Sequence, residues 1–126
     1  MLAIDPRSPV AANNLAWLSA ERGGNLDVAL QLAQTAKVGM PERAEVDDTL
    51  GYIYLKKGLT SLAIQSFRDS IARDPKNPLF QYHLGLAYMN LDDRAHAREA
   101  LQRAVQLKPD FEGAAESKKL LASLRQ

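Results

Sequence analysis

The residues from which chemistry could be built are two histidines, two aspartate pairs, two lysine pairs and one doubled glycine in a chain of 126 residues. A helical zinc site needs histidines four apart or cysteine partners. His83 and His96 stand 13 apart in a chain with no cysteine, so no metal ligand set forms and both read as ordinary surface histidines. Adjacent residues on a helix diverge by about 100°, so Asp47 and Asp48 do not face one another as a catalytic carboxylate pair would. Asp92-Asp93 falls in a turn and is expected to cap the helix that follows. Lys56-Lys57 and Lys118-Lys119 lie on different helices with no basic stripe to join them, and read as solvated charge. Gly23-Gly24 follows no strand and so makes no phosphate cradle. No catalytic group, metal or cofactor is expected.

Composition bounds the remaining classes. Sixteen basic against fifteen acidic residues leave a formal charge of +1, which gives no reason to expect nucleic acid or an anionic membrane surface as the partner. With 46% hydrophobic and 25% charged residues the chain is suited to a globular core. No stretch approaches the roughly 18 apolar residues of a membrane span, so direct membrane insertion is not expected. The opening Met1-Leu2-Ala3-Ile4-Asp5-Pro6 lacks a basic segment followed by an apolar one. Without thiols the redox compartment stays undetermined, cytoplasm and periplasm suiting the chain equally.

The elements that position these residues emerge from spacing. Pro6, Pro41, Pro75 and Pro109 are 35, 34 and 34 residues apart, each closing an apolar-periodic segment. Ser8-Pro9 and Asn77-Pro78 each put a capping side chain before a proline suited to a first helical turn. Leu50-Gly51 with Tyr54 is repeated as Leu84-Gly85 with Tyr88. Ala63, Phe67 and Ser70 are repeated as Ala97, Leu101 and Ala104. The first unit is a variant, with Leu15-Ala16 and Ser19, then Ala29, Ala33 and Ala36 displaced by the extra Gly24. Small residues at Gly51 and Ala63, and at Gly85 and Ala97, imply close helix crossings, because an interior glycine costs about 1 kcal/mol that only tight packing offsets. Tyr54, Phe67, Tyr88 and Leu101 are expected to fill the space between helices. Helices are expected at about 9–22, 26–39, 43–57, 60–73, 78–91, 94–107 and 112–124, with no strand.

A period of 34 with Leu-Gly, Tyr, Ala, Phe, Ala and Pro in this order resembles the tetratricopeptide repeat, over nearly the whole chain. Asn13-Asn14-Leu15-Ala16-Trp17-Leu18 through Glu21-Arg22-Gly23-Gly24 is further similar to tetratricopeptide-repeat proteins of bacterial cell-envelope and exopolysaccharide systems. The resemblance implies an all-α, right-handed α-solenoid: three helix-turn-helix repeats at 9–42, 43–76 and 77–110, plus a C-terminal capping helix at 111–126. Residues 1–8 read as the remnant of a preceding repeat, since Ile4-Asp5-Pro6 parallels Arg73-Asp74-Pro75. On this reading the chain is cut from a longer array at its N-terminus and ends naturally at its C-terminus.

In that family the first helix of each repeat lines a concave groove, which implies a non-catalytic scaffold binding a peptide or helix of another protein. Transferred by the repeat spacing, the groove takes Val10, Asn13, Asn14, Trp17, Ala20 and Glu21 from the first unit. It takes Glu45, Asp48, Thr49, Tyr52, Leu55 and Lys56 from the second, and Leu79, Tyr82, His83, Leu86, Met89 and Asn90 from the third. Trp17, Tyr52 and Tyr82 are the anchors on this reading; against it, Trp17 and Tyr52 wedge between neighbouring helices and serve packing alone. Repeats that hold acidic chaperone tails use lysine, arginine and asparagine in the groove. Here Asn13, Trp17, Thr49, Leu79 and His83 take those places beside Glu45 and Asp48, which points to a hydrophobic or basic peptide. The second reading is structural: a segment of a longer array that self-associates through an exposed N-terminal end, or helps assemble a bacterial envelope complex.

Overall fold

The computed structural model describes residues 8–125, and the expected remnant of a preceding repeat lies outside them except for Ser8. Seven helices follow in order: α1 Pro9–Glu21, α2 Leu26–Gly39, α3 Ala44–Lys56, α4 Thr60–Arg73, α5 Pro78–Asn90, α6 Arg94–Leu107 and α7 Ala114–Ser123. No strand occurs among the described residues. The largest departure from the expected bounds is the start of α7, because residues 109–113 form a turn that drives Phe111 inward.

The starts of these helices are written in side chains. Ser8 Oγ accepts from the Ala11 N–H at 3.5 Å, with Pro9 in the first turn. Asn25 Oδ1 accepts from the N–H groups of Asp27 and Val28 at 2.9 and 3.2 Å, and Asn77 Oδ1 from that of Leu79 at 3.0 Å. Asp93 caps α6 as expected, accepting from the His96 N–H at 3.2 Å. Each such cap satisfies a helix-end donor and contributes about 1 kcal/mol. The turns inside the three helix pairs place Gly23, Gly58 and Asp92 at one equivalent position, with φ of 71°, 80° and 58°. Aspartate is among the few non-glycine residues that tolerate this left-handed backbone.

Each pair packs through its small residues. A Cβ added to Gly51 would stand 2.5 Å from Phe67 Cε1, and one added to Gly85 would stand 2.7 Å from Leu101 Cδ2. The glycines therefore make room for a large side chain four residues beyond Ala63 or Ala97, rather than for the alanines themselves. In the first unit both sides change together: Ala16 replaces the glycine and Ala33 replaces the large residue, and both are fully buried. Ala16 is admitted because no large side chain stands opposite it, and the first crossing holds less side-chain volume than the other two. Phe67 and Leu101 are fully buried, Tyr88 nearly so and Tyr54 half-buried.

The pairs then stack. Asp47, only 2% exposed, joins three helices, meeting Lys37 Nζ of α2 at 2.7 Å and Arg73 Nε of α4 at 2.9 Å. The first helices touch in succession, α1 against α3 and α3 against α5, more than the second helices α2, α4 and α6 touch one another. Rows of unequal spacing curve the stack, with α1, α3 and α5 on its inner side. The result is an all-α solenoid, and α7 packs against α6 at its end.

Candidate functional site

The inner side holds a cleft of about 820 Å³. From α1 it takes Asn13, Asn14, Trp17 and Glu21; from α3, Glu45, Asp48, Thr49 and Tyr52; from α5, Leu79, Tyr82, His83 and Leu86. These twelve come together because each helix turns the same face inward and the 34- to 35-residue period returns that face to the same side.

Its floor is a set of rings arranged about one histidine. His83 lies 5.8 Å from Trp17, 5.7 Å from Tyr52 and from Phe67, and 5.6 Å from Tyr82, centroid to centroid. Trp17 and Tyr52 are 4.5 Å apart and tilted by 32°, while Phe111 meets Tyr82 edge-on at 5.9 Å. His83 is thus no surface histidine. It is 6% exposed and its Nδ1 lies 2.8 and 3.0 Å from the two oxygens of Asp48, itself 7% exposed. As a carboxylate Asp48 can only accept, so Nδ1 carries the proton in this pair. Burial raises the Asp48 pKa above its usual value, opposed by the hydrogen bond and charge of His83. His96 keeps its expected exposure. It stacks on Tyr88 at 5.1 Å and meets Asp93 at 2.7 Å.

The phenols stay protonated at neutral pH. Burial, and after it the charge of Glu21, push Tyr52 up to about 12, and its hydroxyl donates to Glu21 at 3.1 Å. Burial and Glu116 raise Tyr82 likewise. Trp17, Tyr52 and Tyr82 are all half-buried, so each ring packs against its neighbours and still shows a part to the cleft. Wedging and availability are not alternatives here.

Residues 49–110 match the family model of the tetratricopeptide repeat. The chain belongs to the tetratricopeptide-repeat family. It is 30% identical over 87 residues to the general transcriptional corepressor ssn6 of Schizosaccharomyces pombe, covering 68% of this chain and 8% of that protein. The chain spans a quarter or less of the length of the curated relatives it matches. Among solved structures, PcrH in complex with the chaperone binding region of PopD superposes with a TM-score of 0.83 at 21% identity, covering 99% of this chain and 97% of that one. The first tetratricopeptide-repeat domain of Spaghetti (RPAP3), bound to the HSP90 peptide SRMEEVD, superposes at 0.81 with 15% identity, each chain covered in full. These likenesses fix the fold.

Other residues assigned to the groove from sequence lie outside the lining of the repeats' cleft. Lys56 stands with its ammonium 5.2 Å from the Tyr52 ring centroid, and Asn90 accepts from Thr60 at 2.8 Å. Met89 and Leu55 pack against the core, Ala20 is buried against α2, and Val10 is exposed beyond the cleft. In the α3 and α5 rows it is the last turn that lies outside the lining, whereas in the α1 row Glu21 lines it and Val10 and Ala20 do not. Conversely Leu18, Asn77, Phe80, Glu112, Gly113 and Glu116 line the cleft and were missed. The signal for two of them was present: adding one more period of 34 to Leu79 and Tyr82 lands on Gly113 and Glu116. The terminal segment thus supplies a wall of the cleft as well as covering the last repeat. Among the described residues no group of histidines and carboxylates that could hold a metal occurs.

Proposed function

We propose that this chain is a protein-interaction scaffold that receives a short segment of a partner protein, extended or helical, in the cleft formed by α1, α3, α5 and α7. The observation that carries the reading is the ring floor. Trp17, Tyr52 and Tyr82 are held rigid by one another and by His83, yet remain partly open to a cleft large enough for several side chains. Rigid aromatic surfaces lose little entropy when covered, which makes them effective anchors. The family model and the peptide-bound relatives of the same fold support an interaction role.

The test is a selection from a randomised peptide display library with the chain as bait, repeated with the Trp17→Ala/Tyr82→Ala double variant. Peptides enriched on the unaltered chain should lose at least about tenfold in affinity to the variant, measured by anisotropy of labelled peptide. Equal binding to both proteins, with the variant folded by circular dichroism, defeats the assignment of the cleft.

A further inference from the structure

The carboxylates of the cleft have no cationic counterpart in its lining. Glu21, Glu45, Glu112 and Glu116 are all exposed around it, Asp48 lies in its floor against His83, and neither lysine nor arginine lines it. Two of the four already have partial partners: Arg43 reaches Glu45 only at 4.0 Å, and Tyr52 donates to Glu21 at 3.1 Å. Glu112 and Glu116, brought in by the terminal segment, have no salt-bridge partner among the described residues. The chain as a whole carries +1, so this negative edge is a local concentration set apart from the basic residues elsewhere. At physiological salt the screening length is about 8 Å, short enough that a cleft ringed by like charges presents its own field and not the molecule's average.

A second observation concerns hydrogen bonding. Asn13, in the α1 wall, has its Oδ1 buried with no partner among the described residues. A buried acceptor without a donor is costly, but the chain itself covers this one, so it is no contact for a ligand. What the open edge of the cleft lacks is a positive charge to face its exposed glutamates.

We propose that the segment bound in this cleft is basic: lysine or arginine side chains set against Glu45, Glu112 and Glu116, with apolar or aromatic side chains covering Trp17 and Tyr82. The proposal rests on the cleft being a peptide site and decides between the apolar and the basic occupant. The rings fix where the segment lies, and the carboxylates select its charge and speed its arrival. An acidic peptide such as the SRMEEVD bound by the structural relative meets repulsion here.

The randomised selection supplies the test. Enriched peptides should carry a net positive charge and bind at least about tenfold more weakly to Glu45→Lys/Glu112→Lys/Glu116→Lys, and more weakly as salt is raised. The neutral Glu112→Gln/Glu116→Gln variant, whose fold is less at risk, should show a smaller loss in the same direction. Neutral or acidic peptides that still depend on Trp17 and Tyr82 overturn the charge assignment and leave the cleft reading intact. Peptides indifferent to those rings, or no enrichment over an unrelated bait, overturn both. Sedimentation of the free chain checks another occupant: a dimer that Tyr82→Ala dissolves would put a second copy in the cleft and end the proposal.

Discussion

The junction of α3 with α5 and the junction of α1 with α3 use the same two positions in opposite ways. At the first, Asp48 and His83 close on each other at 2.8 and 3.0 Å, both buried. At the second, one period earlier, the positions hold Asn13 and Thr49. Thr49 turns back to donate to the carbonyl of Glu45 at 2.9 Å, and Asn13 Oδ1 is left buried without a partner. One period later, between α5 and α7, Tyr82 and Ser117 take the places, and Ser117 Oγ is also buried and unpartnered. A repeat copies backbone geometry, but it does not copy polar satisfaction. The central junction is locked by its own side chains, while the flanking ones keep unused hydrogen-bonding capacity. The lock thus sits in the middle of the ring floor, with the adaptable positions on either side.

The sharpest break of this comparison is His83→Ala. It removes the ring that four aromatics pack around and leaves a buried carboxylate without its donor, so a loss of about 3–5 kcal/mol is expected at neutral pH in urea denaturation. The loss should shrink in acid, where Asp48 is protonated and no longer presents an unpaired charge. A loss below about 1 kcal/mol would mean that the pair locks nothing. Asp48→Ala comes next, at about 1–3 kcal/mol, since it strands a single ring N–H donor and not a carboxylate. Asp48→Asn should lose less than either. Burial opposes the charge on Asp48 more strongly than His83 favours it, and the amide oxygen still accepts from Nδ1.

The two His–Asp pairs also separate by pH. Asp48 has its folded pKa raised above 3.8, chiefly by burial, so its contribution to stability is greatest below 3.8 and falls as pH rises through the raised value. Asp93 is lowered below 3.8, first by the His96 backbone N–H, so its contribution is present above 3.8 and is lost as pH falls through the lowered value. Carboxyl-carbon NMR titration should put the Asp48 midpoint above that of Asp93. The reverse order would remove the distinction between a buried lock and an exposed cap.

What was legible in the sequence follows the same division. Proline spacing and the returning Leu-Gly, Ala and Phe positions place seven helices, because helix ends and close crossings depend on single residues at fixed offsets. Which face of α1, α3 and α5 turns inward is implied by the family resemblance, and the period carries that face from one repeat to the next. Two things did not follow. The Asp48–His83 pair joins residues 35 apart through a contact between helices, and an acid and a histidine on separate polar rows look alike whether they meet or not. The wall from Glu112 to Glu116 was not found because the helix expected at 112–124 reads as a cover for the last repeat, so the period was not carried one step further.

Asn13→Ala gives the smallest effect and tests the flanking junction directly. If Oδ1 has no donor in the free chain, truncating the side chain removes an unsatisfied buried acceptor along with some packing, and the two changes oppose each other. Stability should then move by no more than about 0.5 kcal/mol, several-fold less than Asp48→Ala at the equivalent position. Peptide affinity should move by less than about threefold, because the chain itself covers Oδ1 and no ligand donor reaches it. A substitution silent in both folding and binding marks an acceptor that the packing of this junction leaves unmet. One that destabilises the free chain as much as Asp48→Ala would show that Asn13 already has a partner, and the two junctions would then be alike.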